Sequence, residues 1–391
     1  MHLTIFISIE ATMATTKTQF NNSLYTEQFS IELVDSLEEL FPIRDQIDAL
    51  SDTPFLMSTW MFPWIETYCA SGDCELNFLI VRNREAQVIG VAPLVIRESL
   101  SRGRHFTFVG SGKCCADYMT FPAASGHGPA VARSLANWCL ENETLWDRIE
   151  LDGVEKNDPV ISEFAACLES HGNKVQAVDI LPSYRVPLPS SWDELLKSLS
   201  KNSRKKYRRQ ARALEGNSQL HQATDEQSLR QGLEILETLH TERWNALGEG
   251  GCFSYPGFGD FLGGMAKEKF DAGTLSLIWM TVEDQPIAAD IAYYSGGGIF
   301  TYQGGISQSH LHLEPGRAII KSQIEVAMKN GATFIDFLRG DEPYKSRFKS
   351  QKIDNVRYEI SSKSIRGRMI QSMIKIGRLA KSLAKSLGKF S

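Results

Sequence analysis

The stretch that decides the fold runs from Leu311 to Phe348 and reads LHLEPGRAIIKSQIEVAMKNGATFIDFLRGDEPYKSRF. Its central part predicts an amphipathic helix that packs one face on a sheet, because apolar residues recur at helical spacing. These residues are Ile320, Ile324, Ala327 and Met328. Pro315 suits the first helical position, where a missing N–H costs nothing, and Gly331 suits the position just after the last turn. The segment ATFIDFL then predicts a strand.

The start of this helix has the features of an anion site. First-turn amides have no intrahelical partner, and the helix dipole adds partial positive charge at this end. Gly316 would let a bulky anion approach the backbone, Ala318 keeps a nearby position small, and Arg317 offers a forked cation suited to phosphate. An ordinary helix start after a Pro-Gly turn is the alternative that the local sequence leaves open.

The chain contains two similar halves. FLIVRNREAQVIGVAPLVI (78–96) and SLIWMTVEDQPIAADIAYY (276–294) each read as a β-hairpin, and they begin 198 residues apart. The strands WDRIELDG (146–153) and TFIDFLRG (333–340) each follow a predicted helix and end in glycine. The order in each half is helix, helix, hairpin, strand, helix, strand. We therefore expect a duplication with a seam near 181–195, where prolines and serines accumulate.

This order predicts an α+β fold in which each half has a mixed β-sheet with helices on both faces. The 391 residues are too many for one ordinary core, so two domains are expected. The expected divisions are a loosely ordered leader over 1–30, an N-terminal domain over 31–185, a C-terminal domain over 186–362 and a basic tail over 363–391.

The composition indicates a globular protein, with 42% hydrophobic and 23% charged residues. No apolar run reaches the roughly 18 residues that a membrane span needs, and the N-terminus lacks the basic segment of a signal peptide. The seven cysteines form no CxxC pair, so we expect reduced thiols in a cytoplasmic protein and no metal site. His310 and His312 have no acidic or cysteine partner at metal-binding spacing.

The charge is distributed unevenly. Residues 363–391 carry eight basic side chains and no acidic one, whereas the rest of the chain carries 34 basic against 47 acidic side chains. An acidic body argues against a general nucleic-acid binder. The tail predicts a basic amphipathic helix that lies on anionic membrane surfaces, with a disordered basic tail as the alternative. Its expected apolar face consists of Met369, Ile370, Met373, Gly377, Ala380, Ala384 and Leu387.

The opening stretch, together with SLSKNSRKKYRRQARAL (198–214) and LHTERW (239–244), resembles the Gcn5-related N-acetyltransferase (GNAT) superfamily. More narrowly, it looks like the BioF2-like acetyltransferases, often labelled cellulose-biosynthesis CelD proteins, which are related to the FemAB aminoacyl ligases. The resemblance implies two tandem GNAT-like folds and an acyl-CoA co-substrate whose pyrophosphate the helix start holds. The family loop reads Gln/Arg-x-x-Gly-x-Gly/Ala. Here it reads Leu313-Glu314-Pro315-Gly316-Arg317-Ala318, so a leucine stands where the family has Gln or Arg.

A second candidate anion site, which we call the competing cradle, occurs in the first half, in SGHGPAVARSLANWC (125–139). Gly126, Gly128 and Ala130 lie at the start of a predicted helix there. We favour the loop of the second half because it supplies Arg317, whereas the first loop offers His127.

Acyl transfer from a thioester to an amine needs a base for the amine, N–H donors for the oxyanion and a proton for the departing thiolate. The GNAT resemblance implies that the strand before the loop supplies backbone amides, and Gly304 and Gly305 would allow close approach. It also implies that Tyr344 is the proton donor to sulfur. The structural alternative for Tyr344 is a ring packed at the end of a strand.

Two aspartates are candidates for the base. Asp336 alternates with apolar residues along its strand, so burial would raise its pKa into a useful range. Asp290, in the middle of the strand IAADIAYY, is a candidate of the same standing. An Asp336 carboxylate that is salt-bridged to Arg339 or Lys345 is the structural alternative.

The acceptor side of the site is less defined. His240 and Arg243 lie one turn apart with Trp244 on a predicted helix, and they are expected either to contact the acceptor or to pack on the second half. Arg339 and Lys345 are further candidates for substrate binding. The segment 201–212 has seven basic residues in twelve, and it reads either as a solvated helix face or as a surface for a nucleotide-sugar, a phospholipid or tRNA.

Three functions follow from the residues and the resemblance. The first is a cytoplasmic N-acyltransferase, peripheral on the inner membrane face, that moves an acyl group from acetyl-CoA or another acyl-CoA to an amine. The resemblance implies an amino sugar or another polysaccharide or cell-envelope precursor as acceptor. The second is an aminoacyl-tRNA-dependent ligase like the FemAB proteins. The third is a non-catalytic polysaccharide-assembly protein. Leu313 supports this function because it stands where the family has Gln or Arg.

Overall fold

The computed structural model describes residues 29–387, with side chains described as far as Gly377. Residues 1–28, which make up most of the expected leader, and residues 388–391 of the basic tail lie outside the described residues. The strands in chain order are β1 (Ser30–Val34), β2 (Glu75–Arg82), β3 (Val88–Ser99), β4 (Gly103–Phe108), β5 (Arg148–Glu155), β6 (Lys174–Asp179), β7 (Ser183–Pro187), β8 (Ser218–Gln222), β9 (Leu275–Val282), β10 (Gln285–Ser295), β11 (Gly298–Ile306), β12 (Phe334–Arg339), β13 (Gln351–Ile353) and β14 (Asn355–Ser361).

The α-helices lie mostly between the strands. They are α1 (Arg44–Asp48), α2 (Ser58–Ala70), α3 (Gly128–Glu141), α4 (Pro159–Ser170), α5 (Trp192–Ser198), α6 (Lys201–Leu214), α7 (Glu226–Ala246), α8 (Phe258–Asp271), α9 (Pro315–Lys329) and α10 (Ile365–Leu387). Short 3₁₀ helices cover Phe41–Ile43, Pro54–Leu56, Glu143–Leu145, Cys252–Ser254, Leu311–Leu313 and Lys345–Phe348.

The described strands form two seven-stranded mixed sheets. The first has the order β1-β2-β3-β4-β5-β14-β6 and the second has the order β13-β7-β12-β11-β10-β9-β8. In each sheet one pair is parallel, β4 with β5 and β11 with β12, and a helix (α3 or α9) connects its two strands. The other strand pairs described are antiparallel. The predicted α+β fold with two similar halves is confirmed.

The two hairpins that revealed the repeat are present. β2 pairs antiparallel with β3, and β9 pairs antiparallel with β10. The second hairpin turns through Glu283 and Asp284, which both have positive φ angles, of 48° and 60°. Two consecutive positive φ angles are the mark of a type I′ turn, whose twist matches that of the strands it joins.

The sheets exchange strands at the seam of the repeat. β7 lies between β12 and β13 in the second sheet, antiparallel to both. β14, close to the end of the described chain, returns to the first sheet and lies between β5 and β6. Sheet membership therefore differs from the divisions expected at 31–185 and 186–362, since residues 183–187 complete the second sheet and residues 355–361 complete the first.

Helix α9 follows the sequence prediction closely. It begins at Pro315, Ile324 and Ala327 are fully buried, and Ile320 and Met328 are half-buried. Gly331 follows the C-cap residue with a φ angle of 78°, a left-handed conformation that glycine adopts without strain. Burial of the apolar face of α9 holds the helix against β10 and β11.

The hydrophobic core is continuous between the halves. One cluster of buried residues includes both Trp60 of α2 and Phe261 of α8, whose ring centroids lie 5.2 Å apart. Phe55 and Tyr302 also meet across the halves, at 6.3 Å. Because such contacts bury large aromatic surfaces, the two halves are held in one arrangement.

Candidate active site

A cleft opens where two parallel strands separate. β11 and β12 pair only at Ile299–Ile335 and Phe300–Asp336, whereas β11 continues to pair with β10 as far as Ile306. The space beyond the divergence leads into a cleft of about 1260 Å³. Ligands of sheets with parallel strands bind beyond the carboxyl ends of those strands. Residues of the first half also line the cleft, among them Arg102, Cys115, Asp117, Glu150 and Asp152.

A smaller hollow of about 550 Å³ lies at the opposite end of β10 and β11. Its lining includes Gln222, Tyr294, Asn330 and several glycines. No carboxylate, histidine, lysine or arginine lines it. The large cleft is therefore the better place for acid–base chemistry.

The start of α9 faces the large cleft. Glu314, Pro315, Gly316 and Arg317 all line it. A Cβ placed on Gly316 would meet only the side chain of Ile306, at 3.7 Å, so the space beside this backbone is open. The Arg317 amide donates to the Glu314 carbonyl, and Pro315 has no amide hydrogen. The Gly316 amide is therefore the donor that this helix start presents to a ligand.

Leu313 and Ala318, the outer members of the expected loop, do not line the cleft. Ala318 is 2% exposed and packs in the core of the second half. Leu313 is half-buried against the same core. Both residues position the loop through packing and do not face a ligand.

An acidic residue sits at the helix start. Glu314, the N-cap residue, has a left-handed φ angle of 53° and binds the guanidinium groups of Arg317 (Nε–Oε2, 2.8 Å) and Arg209 of α6. Burial raises the pKa of Glu314, but the two ion pairs outweigh it and the net pKa is lowered. Arg317, expected to be free for phosphate, is therefore paired, and an anionic ligand would compete with the Glu314 carboxylate for it.

The competing cradle of the first half does not contribute to the cleft. Gly126, Gly128 and Ala130 lie at the start of α3, outside the cleft lining. His127 Nδ1 is 3.1 Å from the Ser125 carbonyl oxygen. Of the two cradles predicted from sequence, the one in the second half faces the cleft.

Asp290 is a carboxyl group of the cleft lining that has no ion-pair partner among the described residues. It lies on β10 opposite Gly304 of β11, and it is 8% exposed. Its Oδ1 has no hydrogen-bond partner among the described residues, and a Cβ on Gly304 would come within 3.3 Å of Oδ2. Burial raises the pKa of Asp290 well above that of an ordinary aspartate. A buried, unpartnered carboxyl with a raised pKa that borders a cleft is suited to exchange protons with a ligand.

Tyr344 also lines the cleft, just beyond β12. Its ring packs edge to face on Phe337, with centroids 5.5 Å apart. Burial raises the pKa of Tyr344, the carboxylates of Glu342 and Asp290 raise it further, and Arg243 opposes them. The hydroxyl therefore keeps its proton at neutral pH and is available as a donor. Both the expected cleft position and the alternative of ring packing apply to this residue.

Asp336 lies outside the cleft. Its carboxylate is fully buried and accepts hydrogen bonds from the Tyr118 hydroxyl (2.6 Å), Arg185 Nε (2.9 Å) and the Leu338 amide (2.9 Å). Burial raises the pKa of Asp336, and these donors offset part of the rise. The group has no access to a ligand in the cleft. This arrangement favours the structural alternative, although the ion-pair partner is Arg185 instead of Arg339 or Lys345.

His240 and Arg243 of α7 have different surroundings. His240 is 2% exposed, lies 3.2 Å from the Cys252 thiol through Nε2, and does not line the cleft. Burial lowers the pKa of His240 to about 4, so the ring is neutral. Arg243 and Trp244 do line the cleft, and Arg243 forms no ion pair with any residue in the described part of the chain. Arg243 is thus a cation of the cleft lining without an ion-pair partner among the described residues, and its charge lowers the pKa of Tyr344.

Arg339 and Lys345 are engaged by the protein. Arg339 binds Asp117 (Nε–Oδ1, 2.8 Å) and Asp152 (Nη1–Oδ2, 2.9 Å), both from the first half. Lys345 is 2% exposed and donates to the carbonyl oxygens of Leu338 and Arg339. The two side chains border the cleft, but their charges already have partners.

The two glycines of β11 have separate roles. A Cβ on Gly305 would come within 2.6 Å of the His240 amide nitrogen, so Gly305 is needed for α7 to pack on the sheet. Gly304 instead faces Asp290. Both line the cleft, as expected, and Gly304 is the one whose added Cβ would meet the Asp290 carboxyl group, at 3.3 Å.

The basic helix α6 borders the start of α9. Its buried face includes Ser203 and Tyr207, which line the cleft, and the Arg317 guanidinium lies 4.8 Å above the Tyr207 ring. Burial raises the pKa of Tyr207 to about 12. Most basic side chains of α6 point to solvent, so the cluster forms a positive rim next to the helix start.

The contributions of the first half were missed by the sequence analysis. Asp117 and Cys115 follow β4, the counterpart of β11 in the repeat, and Asp152 lies on β5, the counterpart of β12. Burial raises the pKa of Asp117 to about 6, against the opposing effect of Arg339. The repeat itself carried this signal, because equivalent strands present their ends at equivalent places in the two sheets.

The comparisons with known proteins agree with this architecture. Residues 201–346 match the sequence model of a family described as acetyltransferase (GNAT) domain. This region contains α6, α9 and the cleft residues Asp290 and Tyr344. No curated protein matches the chain.

Several solved structures have a similar fold. FemX has a TM-score of 0.58 and 12% identity, over 81% of this chain and 95% of that chain. A conserved protein of unknown function from Bacteroides thetaiotaomicron has a TM-score of 0.53 and 14% identity, over 85% of this chain and 100% of that chain. The C-terminal (DUF2156) domain of a protein described as a lysylphosphatidylglycerol synthetase, from Agrobacterium fabrum, has a TM-score of 0.52 and 9% identity, over 86% and 96%. The chain therefore has a fold similar to that of these proteins, and its residues 201–346 match the GNAT family model. These comparisons do not test the narrower CelD resemblance.

Proposed function

We propose that this protein is a GNAT-type N-acyltransferase that moves an acyl group from acyl-CoA to an amine in the cleft between its two halves. The observation that carries the proposal is the placement of Asp290. This unpartnered, buried carboxyl borders the same cleft as the open backbone at Gly316. A base and an anion-binding helix start in one cleft are what thioester aminolysis requires.

Each step of the reaction has a group to serve it. The Asp290 carboxylate accepts a proton from the neutral amine as the amine nitrogen attacks the thioester carbonyl carbon, and it later releases this proton to solvent. The C–N bond forms, the tetrahedral intermediate collapses and the C–S bond breaks. Tyr344 donates its proton to the departing thiolate and regains one from solvent. Asp336, which lies in a closed network, is not assigned a step in this scheme.

The co-substrate would enter past the start of α9. The Gly316 amide would donate to the pyrophosphate of acyl-CoA, and Arg317 would turn from Glu314 to the phosphate oxygens. The amides of β11 near Gly304 would face the thioester carbonyl, since no strand pairs with this edge of β11 beyond Phe300 in the described chain. Arg243 supplies an unpaired positive charge for the acceptor or for the phosphates.

The acceptor is proposed from the family resemblance. BioF2-like proteins suggest an amino sugar or another precursor of a polysaccharide or of the cell envelope. A cytoplasmic location rests on the cysteine content of the sequence. Both assignments belong to this proposal and need their own assays.

Aminoacyl transfer from aminoacyl-tRNA is the second candidate function. It is favoured by the exposed basic side chains of α6 next to the cleft and by the similarity in fold to FemX. Under this alternative, tRNA binding should weaken steeply as salt rises, because counterions are released when phosphates are neutralised. A non-catalytic assembly protein is the third, and it would bind neither donor.

Calorimetry with acetyl-CoA and a kinetic variant together test the proposal. We expect acetyl-CoA to bind with a Kd on the order of micromolar, equivalent to about 8 kcal/mol. Asp290→Asn should keep this affinity and lower kcat about 10²–10⁴-fold, the range that general-base catalysis supplies. Asp290→Asn with unchanged kcat would refute the assignment of the base. Absence of acetyl-CoA binding by the wild-type chain would refute the co-substrate.

A further inference from the structure

The last helix exposes an apolar face. Ile365, Met369, Met373 and Ile376 are 81%, 62%, 51% and 66% exposed. Their spacing of four, four and three residues places them on one side of α10, and we call them the apolar stripe. The face expected from sequence also included Ile370, but that residue is 5% exposed and packs on the protein. The stripe therefore turns away from the body of the molecule.

Contacts with the first half fix the start of α10. Arg366 binds Asp147 (3.2 Å) and Glu98 (3.5 Å). A Cβ on Gly103 would come within 2.5 Å of Ile370 Cδ1, so the helix packs closely against the start of β4. These contacts hold the apolar stripe in a defined orientation.

A further exposed apolar side chain lies on the hairpin that α10 contacts. Leu100, in the turn between β3 and β4, is fully exposed. It lies two residues from Glu98 and three from Gly103, which are the two points where α10 contacts this hairpin. Arg102 of the same turn lines the cleft. Leu100 and a residue of the cleft lining are therefore only two positions apart in the same turn.

Two of the positive charges next to the stripe have no acidic partner among the described residues. Arg368 and Lys375 are exposed and form no ion pair with any residue between 29 and 377. Lys174, on the edge strand β6, lies close enough to Lys375 that this neighbouring ammonium lowers the pKa of Lys174. The sequence adds further basic residues and no acidic ones up to Ser391. Such a surface is complementary to a dense negative charge.

We propose that the apolar stripe and Leu100 dock on the headgroup region of an anionic lipid bilayer. Exposed apolar side chains flanked by lysine and arginine are the features of helices that lie in a membrane interface. Within residues 29–387 no helix is long and apolar enough to cross a membrane. A second copy of the chain is a poorer occupant, because pairing two stripes would bring two tails with eight positive charges each together. The docking does not depend on the reaction in the cleft.

Sedimentation with lipid vesicles tests this proposal on the full chain. The protein should co-sediment with vesicles that contain about one-third phosphatidylglycerol in phosphatidylcholine. It should stay in the supernatant with vesicles of phosphatidylcholine alone. Met369→Ser/Met373→Ser/Ile376→Ser should abolish pelleting. Arg368→Gln and Lys375→Gln should each weaken it about fivefold, the effect of one charge near the surface. Point variants are preferable to removal of the tail, because Ile370 is part of the packed structure.

Leu220→Ser is the matched control, since Leu220 is an apolar side chain that is 45% exposed on the far edge of the second sheet. It should leave vesicle binding unchanged, and circular dichroism should show that all variants are folded. Pelleting of the folded triple variant at the wild-type level would overturn the proposal. So would failure of the wild-type chain to bind anionic vesicles, or a wild-type dimer in light scattering that the triple variant converts to monomer.

Discussion

At the scale of single residues, Asp290 and Asp336 show how burial and hydrogen bonding separate two carboxylates. Both lie in strands of the second sheet and burial raises the pKa of both. Asp336 has three donors around it, whereas one oxygen of Asp290 has none among the described residues. An unpaired buried carboxyl lowers the stability of the fold. Proteins therefore retain such a group mainly where a ligand uses it.

Asp290 is therefore expected to reduce stability as pH rises. Its folded-state pKa lies above its unfolded value, so its stabilising contribution is complete below the unfolded pKa and is lost as pH rises through the folded pKa. Asp290→Asn, which does not titrate, should have a higher Tm than wild type at about pH 8, and a smaller advantage at about pH 4. Thermal unfolding followed by circular dichroism at both pH values measures this. A variant with lower Tm at about pH 8 would show that the carboxylate has a partner.

Substitution of Asp336 should lower the stability of the protein, whereas substitution of Asp290 should raise it. Asp336→Asn is expected to lower the free energy of unfolding by roughly 2–3 kcal/mol. This is less than for a fully buried ion pair because the Arg185 side chain is 30% exposed. Urea denaturation measures the change.

Asp179→Asn is the control for this variant, since the Lys156–Asp179 pair is exposed and should contribute at most about 1 kcal/mol. A double-mutant cycle with Tyr118→Phe should show coupling to Asp336, because the two side chains share a hydrogen bond of 2.6 Å. An Asp336→Asn variant of wild-type stability that has lost turnover would restore Asp336 as a base.

The sequence placed both aspartates in strands but did not separate their roles. Both strands are buried on both faces, so alternation of apolar and polar residues does not reveal which carboxylate meets a cleft. The partners that close the Asp336 site, Tyr118 and Arg185, lie 218 and 151 residues away in the chain. Such contacts depend on the folded arrangement and leave no local pattern.

At the scale of elements, the start of α9 is the part of the site that the sequence predicted best. Its proline, its glycine and its apolar spacing act within one helix, so local rules suffice. The ion pair between Glu314 and Arg209 joins residues 105 positions apart, and it changes the availability of Arg317. The helix start was predictable, whereas the charge it presents was not.

A valine at Gly316 tests this helix start. Gly316→Val fills open space, and the fold should tolerate it because the nearest side chain is 3.7 Å from the added Cβ. We expect acetyl-CoA affinity to fall about tenfold or more with little change in Tm, equivalent to about 1.4 kcal/mol. Calorimetry and thermal unfolding provide the two readouts.

Gly263→Val is the matched control, since Gly263 lies in α8 with open space around its Cα and outside the cleft lining. It should leave acetyl-CoA affinity unchanged. If Gly316→Val binds acetyl-CoA as tightly as wild type, the co-substrate does not pass this helix start.

At the scale of the whole molecule, the exchange of β7 and β14 makes the two sheets interdependent. A fragment that ends at residue 182 lacks the strand that lies between β5 and β6. We expect this fragment to be unfolded or aggregated, because two strands would have open edges beside a hydrophobic core. Circular dichroism and size-exclusion chromatography measure this. Co-expression with residues 183–391 should yield a soluble complex, and a fragment that folds alone with a cooperative thermal transition would contradict the expectation.

The repeat predicted two sheets, but it did not predict which sheet receives each terminal strand. β7 and β14 are short and similar in composition to other strands, and either sheet offers an edge to them. Arg339 reinforces the resulting arrangement, because its ion pairs to Asp117 and Asp152 join the second half to the first. A division of the chain into two consecutive segments cannot describe β14, which follows the second half in sequence but belongs to the first sheet.

The return of β14 to the first sheet also determines when this sheet can be completed during translation. A ribosome that has completed β5 must add about 200 further residues before β14 emerges, which takes roughly 10–40 s at ordinary rates of translation. During that interval the first sheet lacks the strand that lies between β5 and β6, so these two strands have unpaired edges. Nascent chains of this protein are thus expected to depend on chaperones until β14 has emerged from the ribosome.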